Sequence, residues 1–189
     1  VFEYPAQSVQ MAKNVEMLWR AFEEAVRDFQ PANGAIWDAL FPNWPSIPVH
    51  IDLIVGFPKP YDAVTMKDAA GHTHIVLDLI RWCDYGMPKD AEGVVRNLLA
   101  HEMTHAFIAA RCPEADAAAD GKDYRPKLDG LTFHEGFAHL IAYENRRIDQ
   151  VNWDSDFWRQ IEETSRSKMR VAVAETDPEK QKKHLRNGF

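Results

Sequence analysis

The sequence predicts an α+β fold, with helices gathered around a small sheet. Three observations carry this expectation. Val49, Ile51, Leu53 and Val55 alternate with His50 and Asp52, the period-two pattern of a half-buried strand, and a second strand-like run covers residues 73–80. Residues 91–111 (AEGVVRNLLAHEMTHAFIAAR) spread Val94, Val95, Leu98, Leu99, Met103, Ala106, Phe107 and Ile108 around most of a helical circumference, so that helix is buried on several sides. Residues 131–143 form another largely apolar helix, interrupted by polar side chains. A chain of 189 residues, 46% hydrophobic and with six tryptophans, has enough apolar matter for one substantial core. It contains no repeat or low-complexity tract, which predicts one domain over 1–189.

In chain order, a helix is expected over 8–29, where Val15, Leu18, Phe22, Ala25, Val26 and Phe29 make an apolar stripe that Pro31 ends. A proline-rich loop follows over 31–48. It carries the turn signal Asn33-Gly34 and is anchored by Trp37, Leu40, Phe41 and Trp44. After the first strand, Ala63 to Lys67 form another, joined through residues 68–72 to the strand at 73–80. His72 and His74 there are expected to be ordinary hairpin histidines. A loop from Pro113 to Lys127 separates the two apolar helices. A C-terminal helix covers roughly 153–175, and the charged tail from Asp177 is a short surface helix ending near Asn187-Gly188.

The chemistry is concentrated in His101-Glu102-Met103-Thr104-His105. Helical residues four apart lie about 40° apart around the axis and about 6 Å along it, so both imidazoles reach one metal ion, a geometry that suits Zn2+. Glu102 is too short to follow both histidines onto the metal, which leaves its carboxylate beside a metal-bound water as a general base. The competing expectation is a hydrogen-bonded core histidine and a partly exposed turn. Ionisable groups on a buried helix are paired, hydrogen-bonded or metal-bound, because unpaired burial costs several kcal/mol. A zinc enzyme also needs a third protein ligand and an open fourth position. Glu135 and His139 share one face of the second apolar helix, His134 points about 100° away from Glu135, and the intervening segment offers Asp116, Asp120, Asp123 and Asp129.

The H-E-x-x-H motif followed by Glu135-Gly136-Phe137-Ala138 resembles the gluzincin metallopeptidases, and the second motif is similar to the glutamate helix of the aminopeptidase N family. The resemblance implies a zincin-like domain, with a small mixed sheet packed on the HExxH helix and the glutamate helix. It implies one zinc per chain on His101, His105 and Glu135, with Glu102 as general base in peptide-bond hydrolysis. It further implies a peptide or protein substrate laid along an edge strand, for which the strand nearest Gly71 is the candidate. Several departures accompany it. Twenty-nine residues separate His105 from Glu135, no Gly-x-Met-Glu-Asn motif is present, His134 precedes the ligand glutamate where asparagine is frequent, and His139 stands where thermolysin-like enzymes carry aspartate. The metzincin pattern is absent, since its glycine and third histidine would fall on Ile108 and Arg111. Tyr124, His134 and Tyr143 are the candidate donors to a tetrahedral oxyanion.

A net charge of −7 argues against nucleic acid or an anionic membrane as partner, and no run of about 20 apolar residues spans a bilayer. Val1 in the first position leaves a removed signal peptide, and with it a secreted or periplasmic location, open. Cys83 and Cys112 are either a disulfide or two thiols, with no metal role. Oligomeric state is not readable. Two other classes compete: a non-catalytic zinc domain that binds peptides or proteins, and a ferritin-like di-iron protein. The latter needs a second E-x-x-H and further helical glutamates such as Glu16 or Glu23. Glu135 is followed by Ala138 at i+3, so that second half fails.

Overall fold

The computed structural model describes residues 9–43, 46–57, 62–84, 91–142 and 154–187. It is an α+β fold, predominantly helical, with one three-stranded mixed sheet. The elements are α1 (Val9–Leu40), β1 (Val49–Ile54), β2 (Ala63–Lys67), β3 (Thr73–Asp78), α2 (Leu79–Asp84), α3 (Ala91–Arg111), α4 (Pro113–Asp120), α5 (Tyr124–Ile141), α6 (Asp156–Ala174) and α7 (Pro178–Asn187).

Helix α1 continues through Pro31 and Asn33-Gly34, where the local pattern predicts its end. An interior proline forfeits a backbone hydrogen bond and costs about 3 kcal/mol. Tertiary packing offsets that cost. Phe29 and Trp37, two turns apart, bring their rings to 5.4 Å, and Trp37 also meets Phe41 at 5.3 Å and Phe107 of α3 edge-on at 5.1 Å. Burying each such side chain contributes roughly 1.5–3 kcal/mol. Trp44, the fourth expected anchor, lies outside the described residues.

The strand order is β1-β3-β2, with β1 parallel and β2 antiparallel to β3. The strand nearest Gly71 is therefore central, and the edge expected there belongs to β2. Residues 68–72 turn the chain between them, Gly71 taking a φ of 87° while the Asp68 amide donates to the His72 carbonyl at 2.9 Å. Strand alternation gives the sheet two unlike faces. Ile75 and Leu77 are fully buried on the helix side, where Val49, Ile51, Leu53 and Ala63 join the core. The opposite face carries His50, Asp52, Met66, His74 and Val76. Strand β3 stops at Asp78 instead of continuing to Ile80. The buried Asp78 carboxylate accepts the Ile80 amide at 3.0 Å and the Arg81 amide at 3.4 Å, starting α2, while its other oxygen accepts the Gly56 amide at 3.1 Å and the Phe57 amide.

Helix α3 has the predicted bounds. The expected loop 113–127 is instead α4 and the first turn of α5, with Pro113 in the first turn of α4 where a missing amide is tolerated. Helices α4 and α5 approach closely at Gly130: a Cβ built there would stand 2.5 Å from the Ala119 nitrogen and 3.0 Å from the Ala115 carbonyl oxygen. The Tyr124 hydroxyl donates to the Ala172 carbonyl at 2.7 Å, fastening α5 to α6. Cys83 and Cys112 are both free thiols. No helix among the described residues is long and apolar enough to cross a membrane.

Two glycines of α5 are expected to respond oppositely to alanine. Gly130→Ala should lower stability in urea unfolding by about 1–3 kcal/mol, because the methyl group meets α4 backbone that cannot swing aside. Gly136→Ala, with nothing within 4 Å of the new Cβ, should raise it by up to about 1 kcal/mol through helix propensity. Equal effects would refute the close approach of α4 and α5.

A second stability prediction concerns His74, whose Nδ1 lies 2.6 Å from Asp52 Oδ2 and whose pKa is raised above 6.5, chiefly by that hydrogen bond. A raised histidine pKa means a contribution complete below the unfolded value and lost as pH climbs through the folded one. In chelator, wild type should therefore lose stability from pH 6 toward pH 9 relative to Asp52→Asn. Parallel unfolding curves for the two proteins across that range would contradict the pairing.

Candidate metal centre

Helix α3 presents His101, Glu102 and His105 where it passes between β2 and α5. His101 and His105 are about 15% exposed, and their Nε2 atoms converge to 3.1 Å. From α5, Glu135 meets both: Oε2 lies 3.4 Å from His101 Nε2 and Oε1 3.6 Å from His105 Nε2. Four tetrahedral donors about 2.0–2.1 Å from a zinc ion are about 3.3–3.4 Å apart. The three separations bracket that value, so the donor set fits the ion.

His139 approaches the same point less closely. Its Nε2 is 4.0 Å from Glu135 Oε2, its ring lies edge-on to His101 at 4.7 Å, and its side chain is 76% exposed. His101, Glu135 and His139 nonetheless have donor atoms all within 4.8 Å of one another. Shorter separations and burial favour His101, His105 and Glu135 as the set, with His139 beside it. His134 lies beside the convergence, stacking on the His105 ring at 5.7 Å and only 6% exposed.

The electrostatics suit ligand roles. Burial holds the His105 pKa down at about 4, so its imidazole is neutral at pH 7 with a lone pair available. A hydrogen bond from His101 lowers the Glu135 pKa and keeps that carboxylate ionised. Glu102 is shifted the other way, its pKa raised by burial. Its Oε2 does not join the donor set but accepts a hydrogen bond from the Thr65 hydroxyl at 2.8 Å. Nothing in the sequence singles out Thr65. It lies 37 residues from Glu102 and meets it only because β2 is the strand beside α3.

These residues form the floor of a cleft of about 460 Å3, walled by β2 (Ala63 to Lys67) on one side and by α4 and α5 on the other. Asp116, Asp120 and His134 line it, and Asp116 reaches Lys67 at 3.9 Å. The other candidates are placed elsewhere. Asp129 is held by Arg125 at 2.9 Å on the surface, Asp123 occupies the N-cap position of α5, and the Tyr124 hydroxyl is engaged by Ala172. Tyr143 lies outside the described residues. Glu16 forms an exposed pair with Arg20 at 2.6 Å, and Glu23 lines a separate groove between α1 and β1, so neither joins the histidines as a di-iron centre requires. Comparison with protein-family models, with curated proteins and with solved structures finds no match.

The geometry ranks the ligands. Glu135→Ala should weaken zinc binding by several orders of magnitude in a chelator competition, while His139→Ala should weaken it by no more than about 10–100-fold, the range of supporting groups. The reverse ranking would hand the ligand role to His139.

Proposed function

We propose that this chain is a zinc-dependent metallopeptidase of gluzincin type, with a zincin-like arrangement of its sheet and two site helices. One observation carries the reading: two imidazoles and an ionised carboxylate converge at zinc spacing, while a second, buried carboxylate stands beside them outside the set. Metal holding alone needs only the first group. A buried glutamate with a raised pKa, kept in place by a strand hydroxyl, is what proton transfer needs.

His101, His105 and Glu135 would hold the ion, which when bound supplies Lewis acidity toward a water and a peptide carbonyl. Glu102 takes a proton from the attacking water and returns it to the departing amine, so the base ends the cycle as it began it. Thr65 fixes the orientation of that carboxylate through its 2.8 Å hydrogen bond. Among the described residues β2 pairs with β3 along one side only, so its other side, toward the cleft, can accept an extended peptide by main-chain hydrogen bonds. The substrate class is accordingly peptide or protein.

The test is Glu102→Gln. The amide is close in size to the carboxylate and the residue is not a ligand, so fold and zinc affinity should persist while hydrolysis of a mixed peptide library falls by about 10²–10⁴-fold. Zinc-loaded wild type that cuts nothing over a broad pH range, or a variant that cuts equally well, would overturn the peptidase reading. The first outcome would favour a peptide-binding zinc domain.

A further inference from the structure

The face of the sheet turned away from α3 carries a second gathering of metal-ligand side chains. Residues two apart in an extended segment share a face, which puts His72, just before β3, on the same side as His74. The parallel register places His50 of β1 directly opposite His74. His50 meets both of the others, stacking on His74 with centroids 4.9 Å apart and lying 5.8 Å from His72.

Asp68 enters this group from the β2–β3 turn with its two oxygens in different roles. Oδ1 accepts the amides of Ala70 at 2.9 Å and His72 at 2.8 Å, which fixes the carboxylate. Oδ2 faces the rings, hydrogen-bonded to His72 Nδ1 at 3.0 Å and 3.6 Å from His74 Nε2. The separation from His74 is near the spacing of donors around a late first-row ion, about 3.3 Å, while the shorter contact is a hydrogen bond that an ion would replace. His74 is oriented as a ligand would be. Asp52 engages its Nδ1 at 2.6 Å, which directs Nε2 toward Asp68, and that Nε2 is buried without a hydrogen-bond partner. A carboxylate behind one ring nitrogen and a bare nitrogen in front is the outer-shell arrangement of histidine metal ligands. His72, 54% exposed, is the donor with freedom to close on an ion.

We propose that Asp68, His72 and His74, with His50 as the next imidazole, form a second metal site that takes a late first-row divalent ion. Mixed imidazole and carboxylate donors select Zn2+, Cu2+ or Ni2+ over Mg2+ or Ca2+. The site lies across the sheet from the HExxH helix, and the inference does not depend on the peptidase reading.

Titration of the full metal-free chain with Zn2+, followed by calorimetry and by ¹⁵N shifts of the imidazoles, tests it. Wild type should bind a second ion that moves the His72 and His74 nitrogens. Replacing both (His72→Ala with His74→Ala) should abolish that ion and leave binding at His101, His105 and Glu135 unchanged. Asp52→Asn should weaken the second ion about 10–100-fold, and Glu135→Ala should spare it. If Zn2+ leaves the His72 and His74 resonances of folded wild type unmoved at millimolar concentration, the proposal is overturned. The same holds if the doubly substituted protein binds as many ions as wild type. Loss of the HExxH ion alone would count against the peptidase reading and leave the second site standing.

Discussion

The burial of α3 is the constraint on which the rest of the molecule depends. Trp37 of α1 and Phe41 just past its end pack on its Phe107, the sheet lays Ile75 and Leu77 into the same core, and α5 adds Phe137 and Ile141. Closely packed side chains hold single rotamers, so the ionisable groups of this helix have fixed positions. Elements bearing the partner groups are pinned to α3 by the same contacts. Glu135 belongs to α5 and Thr65 to β2, and each reaches the site only because its element already packs there. Core and site are therefore one construction. A change in how α1 meets Phe107 would act on the relative placement of α3 and α5, and through it on the spacing of the donors.

What could be read in advance follows from how local each signal is. The bounds of α3 and the presence of the strands rest on periodicity, which every window of the chain displays by itself. His101 and His105 rest on a four-residue helical spacing. Glu135 needed the resemblance of two separate motifs to come forward among several candidate third ligands. The misses are all non-local. Pro31 signals a helix end, and the helix continues because Trp37 is held by Phe29, Phe41 and Phe107. Ile80 continues an apolar run, yet Asp78 turns strand into helix because its carboxylate also serves the Gly56 and Phe57 amides. The segment 113–127 looks polar and loop-like, but its alanines give α4 a smooth side for Gly130 to approach. The identity of the edge strand depends on pairing order, which no single strand encodes.

The two histidine groups show the same physics in different secondary structure. A spacing of four on a helix and a spacing of two on a strand both place imidazoles side by side. They differ in surroundings. His105 sits at the largely buried floor of the cleft, where burial keeps it neutral, whereas His74 lies on the other face of the sheet and is drawn toward its charged form by Asp52. The first arrangement favours a metal ligand over a proton at ordinary pH. In the second, metal and proton compete for the same nitrogen, and Asp52 serves whichever is bound.

Two carboxylates beside the same histidines, shifted in opposite directions, argue most strongly for the chemistry proposed at the α3 site. Glu135 is lowered because His101 donates to it, and Glu102 is raised because it is buried. Environments that drive two like groups apart suit the division of labour proposed above, in which one carboxylate stays ionised to bind and the other exchanges a proton. Folding alone provides no reason for this. A purely structural site would be more stable with an apolar side chain at position 102, since an uncompensated buried carboxylate costs several kcal/mol and Thr65 supplies only one hydrogen bond against that cost. A glutamate there is consistent with the proposed proton transfer, and the donors that converge at zinc spacing beside it are the groups that transfer would serve.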